Sequence, residues 1–153
     1  MKARLQRMER LRHLRALQEL RREVAFVRSR IKLQKVEHQI EVGLEAGRAA
    51  LDEARIAVQE ADGCGWIMSE KMHDVAELTV AALQPARVKA MEAVRAAQQN
   101  FVVSKRETEQ AMLLAQNVRE GLLKESDRRT QAESDDRYAA RKKWLQGVSL
   151  KSS

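Results

Sequence analysis

The chain has 153 residues, with 29 Lys or Arg against 22 Asp or Glu, a net charge of +7 and 33% charged residues. Its aromatics are only Phe26, Trp66, Phe101, Tyr138 and Trp144, and it has one proline and six glycines. That is too little for a thick globular core and too few turns for a β-sandwich. This composition excludes most enzyme folds and points to long helices or a coiled coil.

The first element is expected to be a helix over about 3–61. Leu11, Leu14, Leu17 and Leu20 recur every third residue, so the apolar line drifts around the helix. Leu17, Leu20, Val24, Val27 and Ile31 then alternate steps of three and four, and the stripe restarts at Leu33, Val36 and Ile40. A slip between Ile31 and Leu33 would locally overwind a supercoil. Beyond it, Ile40, Leu44, Gly47, Leu51, Ala54, Val58 and Ala61 form a near-ideal heptad line. Such a helix would be about 90 Å long.

Asp62-Gly63-Cys64-Gly65 is expected to stop it, the two glycines serving as a C-terminal stop and a flexible turn. Residues 62–85 are expected to form a tip loop and a short helix after Trp66, with Val75, Leu78 and Ala82 on one face. Asp74 and Glu77 form a possible capping box there. Pro85 is expected at the first position of a new helix over about 86–146, a kink in a continuous helix being the alternative. The stripe of that helix is Val94, Ala97, Phe101, Ser104, Thr108, Ala111, Ala115, Val118 and Leu122. Tyr138, Trp144 and Leu145 are late apolar points before a frayed tail at 147–153.

Each helix needs a partner for its stripe. The expected fold is therefore all-α, a single extended domain in which two long helices form an antiparallel coiled-coil hairpin with a short helix near the tip. Their lengths put the residues near 3 beside those near 145. A parallel homodimer is the competing arrangement.

Charge is concentrated at one end. Residues 1–35 hold 12 Lys or Arg against Glu9, Glu19 and Glu23, a net +9, while the other 118 residues sum to −2. In the expected hairpin Arg137, Arg141, Lys142 and Lys143 join that end, which would be drawn to an acidic surface. A DNA-reading basic zipper is a poor fit, because Leu5, Met8, Leu11, Leu14, Leu17 and Leu20 would be left in water and no Asn reads adenine. Non-specific nucleic-acid contact and an anionic membrane surface stay open as alternatives.

Chemistry at a catalytic site has no footing. His13, His38 and His73 lack zinc spacing, and Gly63-Cys64-Gly65 lacks the rest of a phosphate loop. Glu107 with Glu109 and Asp135 with Asp136 are ordinary neighbours in a charged helix. No enzyme activity, cofactor, metal or small-molecule substrate is expected. The lone Cys64 fits a reducing compartment. No unbroken apolar run supports a secretory signal or a membrane span, so a cytoplasmic protein is expected. Trp66, just after the glycines, either packs on the hairpin end or meets a partner, tryptophan being favoured at interaction hot spots.

The basic Leu-rich first helix, the tip with Trp66, the return helix and the ending Asp135-Asp136-Arg137-Tyr138-Ala139-Ala140-Arg141 together resemble the FliJ/YscO family. These are the central-stalk proteins of flagellar and injectisome type III secretion. The resemblance covers nearly the whole chain in length and layout. It implies an antiparallel coiled coil similar to the γ stalk of rotary ATPases, peripheral to the inner-membrane export apparatus. It also implies that the end with both termini enters the hexameric export ATPase and promotes its assembly or activity. Arg4, Arg7, Arg10, Arg137, Arg141, Lys142 and Lys143 would be that ATPase-binding end. Trp66, Met72, Ala76, Thr79 and Leu83 would meet the cytoplasmic domain of the export gate, with secretion chaperones as further partners.

Overall fold

The computed structural model describes residues 2–152. Two α-helices, α1 (Lys2–Gln59) and α2 (Gly63–Lys151), pack against each other as an antiparallel hairpin. No strand occurs among the described residues. The chain divides into two units. A turn unit spans Leu17–Lys105, and a terminal unit combines residues up to 16 with those from 106 onward.

The turn is three residues long. The Asp62 amide donates to the Ala57 carbonyl at 2.9 Å and the Ala61 amide to the Val58 carbonyl at 3.3 Å, the paired bonds of a Schellman motif. Ala61 holds the left-handed position at φ 56°, which glycine usually fills. Asp62 then caps α2, its Oδ1 accepting from the Gly65 amide at 3.0 Å. The glycines expected to stop α1 therefore sit in the first turn of α2, and no glycine among the described residues has positive φ.

The expected tip loop and separate short helix at 62–85 are the opening turns of α2, and Asp74 and Glu77 lie in its interior. Pro85 does not start a helix either; it lies inside α2. Its ring is on the exposed side, where water can reach the carbonyl left without a donor, while Leu83 and Arg87 on either side stay half-buried against α1. At the far end α2 continues to Lys151, through most of the expected tail.

In the turn unit α1 faces its partner with Phe26, Ser29, Leu33, Val36, Ile40, Gly43, Gly47, Ala50, Ala54 and Ala57. The steps alternate three and four without a slip. From α2 come Ser69, His73, Ala76, Val80, Leu83, Arg87, Ala90, Val94, Ala97, Phe101 and Ser104. The expected α1 line is thus half right. Ile40, Gly47 and Ala54 lie on the seam, but Leu44, Leu51 and Val58 are exposed and smaller residues take their places. The cause is a close approach. A Cβ on Gly43 would come within 2.7 Å of Val80 Cγ2, and one on Gly47 within 3.7 Å of the Ala76 Cβ. A leucine line facing inward would hold the helices apart. His73 supports this contact, its Nδ1 lying 3.1 Å from the Gly47 carbonyl. Farther along, the Phe26 and Phe101 rings stack with centroids 6.1 Å apart.

In the terminal unit Leu5, Met8, Arg12 and Arg15 face Thr108, Ala111, Ala115, Val118, Leu122 and Glu125. Ala111 and Ala115 are the most buried side chains, at 2% and 1% exposure. Three cross-helix contacts set the register: Arg15 with Glu107 at 2.6 Å, the Thr108 hydroxyl donating to the Arg15 carbonyl at 3.1 Å, and Arg119 with Glu9. Lys2 is thereby level with residues near 125, not 145. The expectation assumed a long tip segment; with a three-residue turn, pairing begins far earlier in α2. Residues 126–152 have no α1 beside them, and all are exposed.

Candidate functional site

The terminal unit holds all seven of the basic residues expected at one end, but in two groups. Arg4, Arg7 and Arg10 are exposed on α1 where it packs on α2. Arg137, Arg141, Lys142 and Lys143 are exposed on the single-helix extension. At 1.5 Å per residue, Arg137 stands about 18 Å past Glu125 and Lys143 about 27 Å past it. None of the seven has an ion-pair partner among the described residues. Arg141, Lys142 and Lys143 also have no acidic residue within four positions along the helix, so their charge is available to an acidic surface.

The extension also carries Tyr138 at 71% and Trp144 at 67% exposure, with Leu145, Val148 and Leu150 exposed near them. Tyr138, Leu145 and Val148 share a helix face at heptad spacing with Arg141 among them, and Lys142 and Lys143 lie on the side away from Trp144, so apolar groups and positive charge stand side by side. Local bonds support this unpaired helix, including Arg129 with Glu125 at 2.7 Å and the Gln131 amide donating to Asp135 at 3.0 Å. The sequence marks Tyr138 and Trp144 only as late apolar points of the second helix. The loss of the seam after Leu122 was the signal that they lack a partner.

In the turn unit, the close approach at Gly43 and Gly47 leaves larger apolar side chains flanking the seam. Met72, Ala76, Thr79 and Leu83 line one groove of about 510 Å³ with Val42, Gly43, Ala46 and Val75. The structure thus brings four expected gate-face residues together, though in unequal roles. Ala76 is buried on the seam, while the exposed Thr79 hydroxyl donates to its own Val75 carbonyl at 2.8 Å. Val42 and Val75 belong to this wall and were missed: Val42 lies on α1, which the expected face left out, and Val75 was grouped with Leu78 and Ala82 instead. Trp66 is 40% exposed and lines no part of this groove. A second groove of about 520 Å³ lies across Gly43 and Gly47, with Leu44, Leu51, His73 and Val80 in its walls.

The extension offers apolar contact with cationic charge, and the grooves of the turn unit offer mainly apolar contact. No three metal-ligating side chains converge among the described residues, and no helix is long and apolar enough to cross a membrane. Comparison with family models, curated proteins and solved structures returned no match.

Proposed function

We propose that the protein is a non-enzymatic stalk or adaptor of a type III secretion export apparatus. Its terminal unit would dock into the hexameric export ATPase, and its turn unit would face the export gate or escort chaperones. The observation that carries this reading is the single-helix extension at 126–152, exposed throughout and bearing Arg137, Arg141, Lys142 and Lys143. A lone helix about 10–12 Å across enters a ring pore more easily than a paired one. Its cations would speed encounter with an acidic lining and make it salt-sensitive. Arg4, Arg7 and Arg10 would then meet the rim of the pore. The groove of Met72, Thr79 and Val75 would serve the second partner.

The test is ATP hydrolysis by a type III export ATPase, with its hexamer fraction, in the presence and absence of this protein. Stimulation is expected, and it should fall at least tenfold when Arg137, Arg141, Lys142 and Lys143 are all replaced by Glu. Full stimulation by that variant, or none by the folded wild-type chain at low salt, would refute the docking.

One observation favours a second reading. Trp144, Leu145 and Val148 beside Lys142 and Lys143 also compose an amphipathic helix suited to an anionic lipid surface. Sedimentation with phosphatidylserine vesicles separates the two, because membrane binding needs no ATPase and is lost in Trp144→Ala with Leu145→Ala.

A further inference from the structure

The apolar ladder Leu17, Leu20, Val24, Val27 and Ile31 does not face α2. Along the same part of α1 the seam side is Arg15, Glu19, Arg22, Phe26 and Ser29, with only Phe26 large and apolar. The ladder runs one to two residues ahead of that line, which at 3.6 residues per turn puts it roughly 150° around the helix. Its side chains are correspondingly open, at 46%, 55%, 43%, 46% and 45% exposure in chain order. Helix α1 is therefore two-faced here. One face holds α2 through a stacked pair of rings and polar contacts, and the opposite face is an unoccupied coiled-coil seam. Exposed apolar patches of this extent mark interaction sites.

The spacing identifies the shape of the occupant. Five positions in strict three-four alternation form a narrow line of two residues per heptad, which receives the knobs of another helix. The flanking charge identifies its chemistry. Arg21 and Arg28 border one side of the ladder, and Glu23 and Arg30 the other. Arg21 and Arg28 have no ion-pair partner among the described residues, and Arg30 lies over the Phe26 ring at 5.7 Å. Residues 14–35 hold seven Lys or Arg against Glu19 and Glu23.

A second copy of the chain is a poor occupant on this ground. Antiparallel pairing through the ladder sets Arg21 of one copy against Arg28 of the other. Parallel pairing gains Glu23 against Arg28 but sets Arg30 against Lys35, and either arrangement doubles a large uncompensated charge. The amphipathic end of α2 is excluded likewise, because Arg137, Arg141, Lys142 and Lys143 would face the same arginines.

We infer that Leu17, Leu20, Val24, Val27 and Ile31 form a docking seam for an amphipathic helix of an acidic protein partner, with Asp or Glu flanking its apolar line. The burial of the ladder supplies adhesion, and Arg21, Arg28 and Arg30 select the partner by charge. This site is separate from the ATPase-docking surface and does not depend on it.

The test uses the full chain and two synthetic peptides of roughly four heptads, both with Leu and Ile at the core positions. One has Glu at all flanking positions and the other Lys. Binding is read by fluorescence anisotropy at low and high salt. The Glu peptide is expected to bind, at least tenfold more tightly than the Lys peptide, with binding weakened by salt. The triple variant Leu20→Gln, Val24→Gln, Val27→Gln should lose at least tenfold in affinity with its helical circular dichroism unchanged, because these side chains face away from α2. Equal affinity for the two peptides overturns the proposal, as does no binding of the Glu peptide at low salt or undiminished binding by the triple variant. Sedimentation of the wild-type chain as a dimer that the triple variant dissolves would also overturn it, by assigning the seam to a second copy. Were the variant to lose helicity, the two-peptide comparison on the wild-type chain would decide alone.

Discussion

Gly43 and Gly47 lie four residues apart on the seam face of α1, yet alanine is expected to act on them with opposite sign. In a helix interior either substitution gains about 1 kcal/mol from propensity. At Gly47 the new Cβ would sit 3.6 Å from His73 Nδ1 and 3.7 Å from the Ala76 Cβ, ordinary contact, so that gain is retained. At Gly43 it would lie 2.7 Å from Val80 Cγ2. Valine in a helix has one strongly preferred rotamer and cannot swing aside, so the helices must part. Overpacking of this kind costs about 1–3 kcal/mol, which turns the propensity gain into a net loss of about 1 kcal/mol. The two variants should therefore differ by about 2 kcal/mol. Urea unfolding followed by circular dichroism would separate their midpoints by about 1 M, with wild type between them. Adding Val80→Ala to Gly43→Ala should relieve the steric part of the loss. Equal stabilisation by both single alanines would refute the reasoning, because helix propensity alone would then explain them and the close approach would have no energetic role.

Ala61→Gly is expected to stabilise the hairpin by about 1 kcal/mol, since φ 56° strains a side chain and not glycine; an unchanged melting temperature would contradict the Schellman assignment. Pro85→Ala should add about 2 kcal/mol, from a propensity difference of about 3 reduced by the proline's restraint on the unfolded chain. A loss of stability there would mean that the proline ring is needed for packing. Limited trypsin digestion should cut first at Arg137, Arg141, Lys142 or Lys143, where the helix has no tertiary contacts, and first cleavage in the turn unit would count against a lone extension.

Much of the fold was legible because helical periodicity is a property of the chain itself. Every position of the expected stripe from Val94 to Leu122 lies on the seam. The antiparallel hairpin follows from two such stripes joined through a turn. The turn itself was less legible. Gly63 and Gly65 drew attention as a stop, whereas the chain reverses at Ala61, a residue whose left-handed conformation no local signal announces. Pro85 misled in the same direction, because proline's cost of about 3 kcal/mol can be borne by a helix whose seam is held on both sides. The site residues shared these errors. With the turn at 60–62, Arg137 and its neighbours moved beyond α1, and the register separated them from Arg4, Arg7 and Arg10.

The residue pattern alone fixed that this chain would be helical, that its second half would offer a seam from Val94 to Leu122, and that positive charge would gather in residues 1–35. It could not determine which of two apolar lines on α1 would meet that seam. Periodicity specifies a face, and a face has no partner until interhelix distance and side-chain volume are compared. The tertiary structure settled the choice through Gly43, Gly47, Ala50, Ala54 and Ala57, whose small volumes let the backbones approach. Held in that register, α1 directs Phe26 toward Phe101 and turns Leu17, Leu20, Val24, Val27 and Ile31 outward.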